Sequence, residues 1–253
     1  MDLETPPYNK TYINFEKPVN PQQTIYRVMP VERVLQLIKD EKNILVHPSM
    51  WDDPFENFFL NSKFESNGKI LNLGGLKDNL FGQCWTLGAE ETDAMWRIYS
   101  PNKDGVRVKS TLSKVISPLK SQNISDFETK VFIGKVEYVV ESELVNQLQN
   151  AQIDSATFIF RIEQMIINSL LIKRKAFEHE KEIRVIYRGE SNLNSQIHGY
   201  TINPQDFIQE LLFDPRMDQN AYNTFAEEIN KLLPKCPISK STLYKSPDFT
   251  IHL

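Results

Sequence analysis

Residues 173–187 read Lys-Arg-Lys-Ala-Phe-Glu-His-Glu-Lys-Glu-Ile-Arg-Val-Ile-Tyr. The stretch ends in β-branched and aromatic residues that alternate with a period of two, which is typical of a strand. Because successive side chains of a strand point to opposite faces, we expect Glu178, Glu180 and Glu182 on one face with Arg184. Such a row of carboxylates repels itself unless it is solvated, paired with cations or used for chemistry. A solvated edge strand and a functional row both stay open.

The composition is ordinary for a water-soluble chain: 253 residues, 40% hydrophobic and 25% charged, with a net charge of −4. Polar and charged residues interrupt the most apolar stretch, 158–172, so no membrane partner is predicted. The acidic N-terminus predicts no secretory signal, and the spacing of Cys84 and Cys236 indicates no disulfide framework. We therefore expect a cytoplasmic protein. The net charge argues against a surface built for bulk nucleic-acid binding, although a local basic groove stays open.

The pattern along the chain predicts an irregular N-terminal arm over residues 1–23 and a single domain over 24–253. Strands and helices are mixed without a regular βαβ alternation, which favours an α+β fold. The predicted strands are 24–29, 43–46, 80–86, 105–109, 131–140, 173–187, 199–202 and 208–214, and the predicted helices are 31–38, 90–99, 110–115, 155–172 and 218–233.

Several standard sites are missing from the sequence. It has no Gly-x-Gly-x-x-Gly, no phosphate loop and no Gly-x-Ser-x-Gly, and its four histidines lack zinc-ligand spacing. A metal-dependent nuclease stays open, because Asp52, Asp53 and Glu56 could hold magnesium together with Glu178–Glu182. His179 stands where the usual acidic-x-Lys signature needs an acid, which weakens this interpretation.

Two aromatic motifs have structural interpretations, and the second of them has a functional one as well. In the loop Trp51–Glu56, Asp before Pro favours a turn in which Trp51 and Phe55 pack into the core. Trp96 and Tyr99 are three residues apart and so share a helix face. This pair belongs either to the core or to the floor of a pocket that stacks a planar ring.

Several short motifs occur in a fixed order along the chain. They are Ile25-Tyr26-Arg27, Pro48-x-x-Trp51-Asp52-Asp53-Pro54-Phe55-Glu56, Cys84-Trp85-Thr86, Met95-Trp96-x-x-Tyr99 with Gly105-Val106, and Lys173-x-x-x-Phe177-x-x-Glu180-x-Glu182-x-Arg184. This set resembles the bacterial family called Domain of Unknown Function 2971, from about residue 25 to residue 215. Trp51 and the segment 99–101 depart from the family's usual residues. Membership of this family implies no function.

The layout is also similar to that of the ADP-ribosyltransferases. The similarity lies in an early strand with Tyr-Arg, aromatic residues midway and a late strand with Glu-x-Glu. It implies a mixed, mainly antiparallel split sheet flanked by helices, with NAD as substrate and no metal. It further implies that Tyr26 and Arg27 bind the NAD phosphates or ribose, and that Trp96 or Tyr99 stacks on nicotinamide. A Ser-Thr-Ser strand found in one branch of the superfamily is missing.

The same resemblance makes Glu182 the catalytic residue, and Glu180 the residue that orients or activates the acceptor. Loss of nicotinamide leaves an oxocarbenium-like sugar, so an adjacent carboxylate stabilises the developing positive charge. Arg184 shares a strand face with Glu182 and would keep that carboxylate ionised beside the cofactor.

The sequence therefore favours an NAD-dependent ADP-ribosyltransferase that modifies RNA, DNA or protein, as a bacterial toxin or anti-phage effector. An antitoxin or chaperone is an open expectation. The alternative is a non-catalytic module that binds a nucleotide or a partner and regulates it. The metal-dependent nuclease is third.

Overall fold

A computed structural model describes residues 11–13, 19–66, 68–71, 78–88, 90–121, 130–149, 155–189, 195–248 and 250. The chain forms two compact units, each assembled from segments that are separated in sequence. The first unit contains residues 1–21, 44–86 and 116–200, and the second contains residues 22–43, 87–115 and 201–253. The single domain over 24–253 stays a prediction.

The described residues form strands and helices in an irregular order along the chain. The strands are β1 (Thr11–Ile13), β2 (Thr24–Pro30), β3 (Lys42–Val46), β4 (Phe64–Ser66), β5 (Lys69–Leu71), β6 (Leu80–Thr86), β7 (Gly105–Thr111), β8 (Lys130–Lys135), β9 (Glu137–Val139), β10 (Ile172–Arg174), β11 (Glu182–Arg188), β12 (Ile197–Thr201), β13 (Glu210–Phe213) and β14 (Ile238–Lys240). The helices are α1 (Val31–Asp40), α2 (Phe58–Asn61), α3 (Asp93–Tyr99), α4 (Leu112–Ser121), α5 (Glu141–Gln149), α6 (Ser155–Ser169), α7 (Pro204–Phe207) and α8 (Gln219–Leu232). Short 3-10 helices cover Pro48–Met50, Pro54–Asn57 and Lys175–Glu180.

In the first unit, β11 is an interior strand. The strand order is β1-β8-β11-β6, and β11 runs antiparallel to both β8 and β6. Its register places Glu182 opposite Thr86 and Arg184 opposite Cys84. The interpretation of the acidic row as a solvated edge strand is therefore wrong, because Glu182 is only 6% exposed.

The prediction that residues 173–187 form one strand is also wrong. The stretch divides into the end of β10, the 3-10 helix Lys175–Glu180 and β11. The helix ends at Lys181, which has a left-handed backbone with φ of 46°. Because of this turn, Glu178 and His179 are exposed while Glu180 is buried, so the three glutamates do not share a strand face.

The core of the first unit lies between β11, β8 and helix α6. Ile162, Ile166 and Ile167 of the helix pack with Phe132 and Ile186 of the strands. Ile162 and Ile166 are four residues apart, the spacing that places side chains on one side of a helix, and Ile167 adjoins Ile166. Trp51 packs against this cluster from the loop that follows β3.

In the second unit, the strand order is β2-β7-β13-β14. The pairs β2–β7 and β7–β13 are antiparallel, and β13–β14 is parallel. Helix α8 begins at a cap in which the Asp218 carboxylate accepts from the backbone N–H groups of Asn220 and Ala221. Thr92 caps helix α3 in the same way, accepting from the N–H of Met95, so this helix begins later than the predicted residue 90.

The predicted fold class is confirmed: the structure is α+β, with mainly antiparallel sheets and flanking helices. The predicted strand 131–140 is interrupted at Val136, which separates β8 from β9. The predicted arm over 1–23 contains the short strand β1, which pairs in parallel with β8. No helix in the described part of the chain is long and apolar enough to cross a membrane.

Candidate functional site: a buried cluster of charges

Five charged side chains of the first unit meet in the interior and form what we call the charge cluster: Glu56, Lys173, Glu180, Glu182 and Arg184. Lys173 Nζ lies at the centre, 2.5 Å from Glu180 Oε2, 2.9 Å from Glu182 Oε1 and 3.0 Å from Glu56 Oε1. All five side chains are at most 8% exposed. Buried charges are costly to desolvate, so this pairing is a condition for their being ionised at all.

Arg184 is the second cation of the cluster and is completely buried. Its Nε donates to Glu182 Oε2 at 2.7 Å, and its Nη1 donates to the carbonyl of Leu170 at 2.7 Å. Nη2 lies 3.1 Å from Glu56 Oε1, an ion-pair contact without hydrogen-bond geometry. The Trp51 ring lies 4.5 Å from the guanidinium carbon, which adds a cation–π contact.

The loop 51–56 positions Glu56 in the charge cluster. Asp53 caps the 3-10 helix that follows by accepting from the N–H of Phe55 at 3.1 Å. Arg174 donates to the same Asp53 carboxylate from Nη2 at 2.9 Å and from Nε at 3.3 Å. Its guanidinium carbon lies 4.6 Å from the centre of the Phe55 ring. The carboxylate of Glu56, one residue further, is therefore held at a fixed place.

The sharp turn at Lys181 delivers Glu180 to the cluster. Glu180 precedes this turn and Glu182 begins β11 immediately after it, so the two carboxyl groups meet, and a hydrogen bond joins them when Glu180 is protonated. The backbone N–H of Glu182 donates to the Tyr138 hydroxyl at 2.8 Å, which anchors the start of the strand. Burial raises the pKa of Tyr138 to about 12, so this hydroxyl stays protonated.

The two carboxyl groups prefer opposite protonation states. Burial and the hydrogen bond to Glu182 raise the pKa of Glu180 to about 7, against the opposing charge of Lys173. Burial would also raise the pKa of Glu182, but the hydrogen bond from Glu180 and the charges of Arg184 and Lys173 outweigh it and lower the pKa to about 2. At neutral pH, Glu182 is therefore a carboxylate, and Glu180 changes its charge close to neutrality.

Such an arrangement can perform acid–base chemistry. Adjacent titratable groups with divergent pKa values are how enzymes place an acid beside a base. A carboxyl group with a pKa near 7 can both take and give a proton at neutral pH, and its ionised neighbour can stabilise positive charge.

The structure brings together three of the residues predicted for the site, Glu180, Glu182 and Arg184. The other four, Tyr26, Arg27, Trp96 and Tyr99, lie in the second unit.

Of the three aromatic residues among them, Tyr99 is the most exposed. Trp96 is completely buried, with its Nε1 donating to Glu91 at 2.5 Å, whereas Tyr99 is 38% exposed. Tyr26 is buried beneath Arg107, whose guanidinium carbon lies 4.7 Å from the ring centre. Arg27 is half-buried on β2. Within this unit, Tyr99 is therefore the better placed of the two aromatic candidates for ring stacking.

Sequence reasoning placed Glu56 only in the alternative magnesium site, and it did not assign Lys173 or Tyr138 to the catalytic site. Glu56 and Lys173 belong to the ordered motifs, so their presence in those motifs was the signal that could have selected them. Tyr138 carried no comparable signal, because its role depends on β9 lying beside the start of β11.

The magnesium site of the nuclease hypothesis required Glu56 and the glutamates of 178–182 to surround a metal ion. Glu56, Glu180 and Glu182 do converge, but the ammonium of Lys173 lies between them at 2.5–3.0 Å. Asp53 is engaged by Arg174 instead.

A family model described as protein of unknown function (DUF2971) matches residues 95–185. The resemblance to this family is thereby confirmed over a segment that contains Lys173, Glu180, Glu182 and Arg184. A search of curated proteins finds no match.

Among solved structures, the chain is similar to DarT of Thermus sp. 2.9 in three complexes. The complex with carba-NAD+ is 11% identical with a TM-score of 0.36, covering 88% of this chain and 96% of that chain. The complex with NAD+ is 10% identical with a TM-score of 0.38, covering 88% and 96%. The complex with ADP-ribosylated single-stranded DNA is 9% identical with a TM-score of 0.39, covering 89% and 97%. At these values the likeness carries no argument about activity.

Proposed function

We propose that the chain is an NAD-dependent ADP-ribosyltransferase in which Glu182 and Glu180 carry the chemistry. The observation that supports this most is a pair of adjacent buried carboxyl groups, Glu180 and Glu182, which share the ammonium of Lys173 at 2.5 Å and 2.9 Å. Burial raises the pKa of Glu180 to about 7, whereas the hydrogen bond from Glu180 and the charges of Arg184 and Lys173 lower the pKa of Glu182. Transfer of a sugar requires both an anion beside the anomeric carbon and a group that takes the acceptor's proton.

In the proposed reaction, the bond between the ribose anomeric carbon and the nicotinamide nitrogen breaks, and its electron pair leaves with nicotinamide. The Glu182 carboxylate stabilises the positive charge that develops on the sugar. A hydroxyl or amine of the acceptor then bonds to the anomeric carbon and gives its proton to ionised Glu180. Lys173 and Arg184 keep Glu182 ionised throughout, since both contact its carboxylate.

The acceptor class is RNA, DNA or protein, and the proposed setting is a toxin or an anti-phage effector in the cytoplasm. That Arg27 and Tyr99 bind NAD is implied by the resemblance alone and stays a prediction. Replacing either with alanine should weaken NAD binding in calorimetry while leaving the circular dichroism spectrum unchanged.

The test is to incubate the purified protein with adenylate-labelled NAD and a bacterial lysate, beside Glu182→Gln. Loss of the carboxylate should lower transfer by about 100-fold or more. Glu178→Gln is the matched control, because Glu178 is exposed on the same segment and undergoes the same change of charge. Treatment with RNase, DNase or protease before detection identifies the acceptor class. Full activity in Glu182→Gln contradicts the proposal.

A second candidate is a module that binds a nucleotide or a partner without turnover. The observation that favours it is the engagement of both Glu182 oxygens, one by Lys173 and one by Arg184, at 6% exposure. Such a site binds NAD in calorimetry but releases no nicotinamide, whereas the transferase does both.

A further inference from the structure

The charges of the cluster do not balance if every group is ionised. Lys173 and Arg184 supply two positive charges, and Glu56, Glu180 and Glu182 supply three negative charges. All five groups are buried, and an uncompensated charge in the interior is expensive. One carboxyl group should therefore retain a proton over a pH range in which an exposed glutamate would have lost it.

The contacts indicate which carboxyl group retains the proton. Glu182 contacts both cations, Lys173 at 2.9 Å and Arg184 at 2.7 Å. Glu56 also contacts both, at 3.0 Å and 3.1 Å. Within the described part of the chain, the ion pairs of Glu180 involve Lys173 alone, and its other close partner is the carboxylate of Glu182. Glu180 is therefore the group for which ionisation is least favourable.

We infer that Glu56 is a positioning residue, which occupies both cations of the cluster and thereby keeps the transferable proton on Glu180. This rests on the proposed function in so far as Glu180 is the acid–base group of the reaction. Glu56 affects the protonation of Glu180 through Lys173, since the same ammonium contacts both carboxyl groups.

The effect of removing this charge follows from the balance. With Glu56 replaced by glutamine, two cations face Glu182 alone, so ionisation of Glu180 restores neutrality. The titration of Glu180 should then move toward the ordinary value for glutamate, 4.5. Tyr138, which also lies beside the pair, stays neutral across this range because its pKa is about 12.

The surroundings of Glu56 are suited to a fixed charge. Its loop is held by the Asp53 cap and by the Arg174–Asp53 ion pair. Trp51, at the start of the loop, lies against Gly82, where an added Cβ would come within 2.5 Å of the indole ring. These contacts hold the Glu56 carboxylate beside Lys173 and Arg184.

The experiment is a titration of the side-chain carboxyl groups by NMR in protein labelled with 13C at the glutamate carboxyl carbon. The Glu180 resonance is identified by its loss in Glu180→Gln. In the wild type its midpoint should lie at about 7. Glu56→Gln should lower this midpoint by about one pH unit or more, and Glu56→Asp, which keeps the charge, should restore most of it.

Asp52→Asn is the matched control, because Asp52 is an exposed carboxylate in the same loop, and it should leave the midpoint unchanged. A folded Glu56→Gln protein with the wild-type midpoint overturns the inference. So does a wild-type Glu180 that titrates near 4.5, whether or not the variant folds.

The titration requires no catalysis, so its outcome is independent of the labelled-NAD assay. If transfer is observed, the pH at which turnover rises should shift in Glu56→Gln by the same amount as the Glu180 midpoint. A purely structural role for Glu56 would lower activity without moving this pH.

Discussion

The charge cluster of the first unit and the Asp214–Arg216 pair of the second unit both bury charge, but they differ in balance. Asp214 is fully buried and accepts from Arg216 Nη2 at 2.7 Å and Nε at 3.0 Å. Arg216 also donates to the carbonyls of Trp96 at 2.7 Å and Ser100 at 2.8 Å, which secures the end of helix α3. One anion thus meets one cation.

The protonation states follow from this difference. Burial would raise the pKa of Asp214, but its hydrogen bonds from Arg216 and Ser100 hold the pKa below its ordinary value. The pair is therefore ionised near neutral pH, and its hydrogen bonds stabilise the end of helix α3. In the cluster, three carboxyl groups share two cations, so one of them titrates near pH 7. An excess of buried acid over base therefore distinguishes a site that can exchange protons from an ion pair that cannot.

The largest effect should come from Lys173→Met, which leaves three buried carboxyl groups and a single cation, Arg184, in the cluster. Breaking a buried ion pair from one side costs about 3–5 kcal/mol, and we expect this loss at about pH 8. Because the variant's carboxyl groups take up protons on acidification, the loss should be smaller at about pH 5. Urea denaturation at both values measures it.

Lys231→Met is the control for that experiment, because the Lys231–Glu227 pair lies on the exposed side of helix α8. Its unfolding should match that of the wild type. An equal loss for Lys173→Met at both pH values would mean that the loss does not depend on protonation of the buried carboxyl groups, and would contradict the prediction.

Arg216→Met should have the next largest effect, about 3 kcal/mol at neutral pH, since it leaves Asp214 buried without its cation. In the wild type, the lowered pKa of Asp214 contributes stability above its ordinary value of 3.8, which is lost as the pH falls. The difference between variant and wild type should therefore shrink on acidification. Hydrogen exchange at the end of helix α3 should accelerate in the variant, and Arg216→Lys should recover part of the stability. Unchanged hydrogen exchange at this position would show that the Asp214–Arg216 pair does not stabilise the end of helix α3.

The smallest effect is the pH dependence of the cluster itself. The raised pKa of Glu180 contributes stability that is complete below its ordinary value of 4.5 and is lost as the pH rises through about 7. The lowered pKa of Glu182 acts in the opposite range, since its contribution is present above 4.5 and is lost as the pH falls through about 2. Between about pH 5.5 and about pH 8.5, only Glu180 of this pair changes charge.

As the pH rises from about 5.5 to about 8.5, the free energy of unfolding of Glu180→Gln should therefore increase by on the order of 2 kcal/mol relative to that of the wild type. Comparing the two proteins cancels the contribution of His198, whose pKa burial lowers. Chemical denaturation at both values measures the difference, and Glu178→Gln, an exposed substitution on the same segment, should show none. A constant difference for Glu180→Gln would place the proton elsewhere.

Much of the fold was predictable from local pattern. The strands predicted over 24–29, 80–86 and 105–109 correspond to β2, β6 and β7. The caps at Thr92 and Asp218 are of residue types that favour this position. The stretch 173–187 was predicted less well, because alternation alone does not reveal a turn. Lys181, which separates Glu180 from β11, has a left-handed backbone conformation. Lysine is not a residue type that favours this conformation, so the sequence did not indicate the turn.

The sequence by itself determined the α+β class, the strand that carries Glu182 and Arg184, and the resemblance of the ordered motifs to a family. These features depend on the types of residues and their order along the chain, which the sequence gives directly. Only the tertiary structure decided that Glu56, more than a hundred positions earlier, meets Lys173 and Arg184 in the interior. The protonation of Glu180 follows from that meeting, because the energy of a buried charge depends on which partners surround it in space.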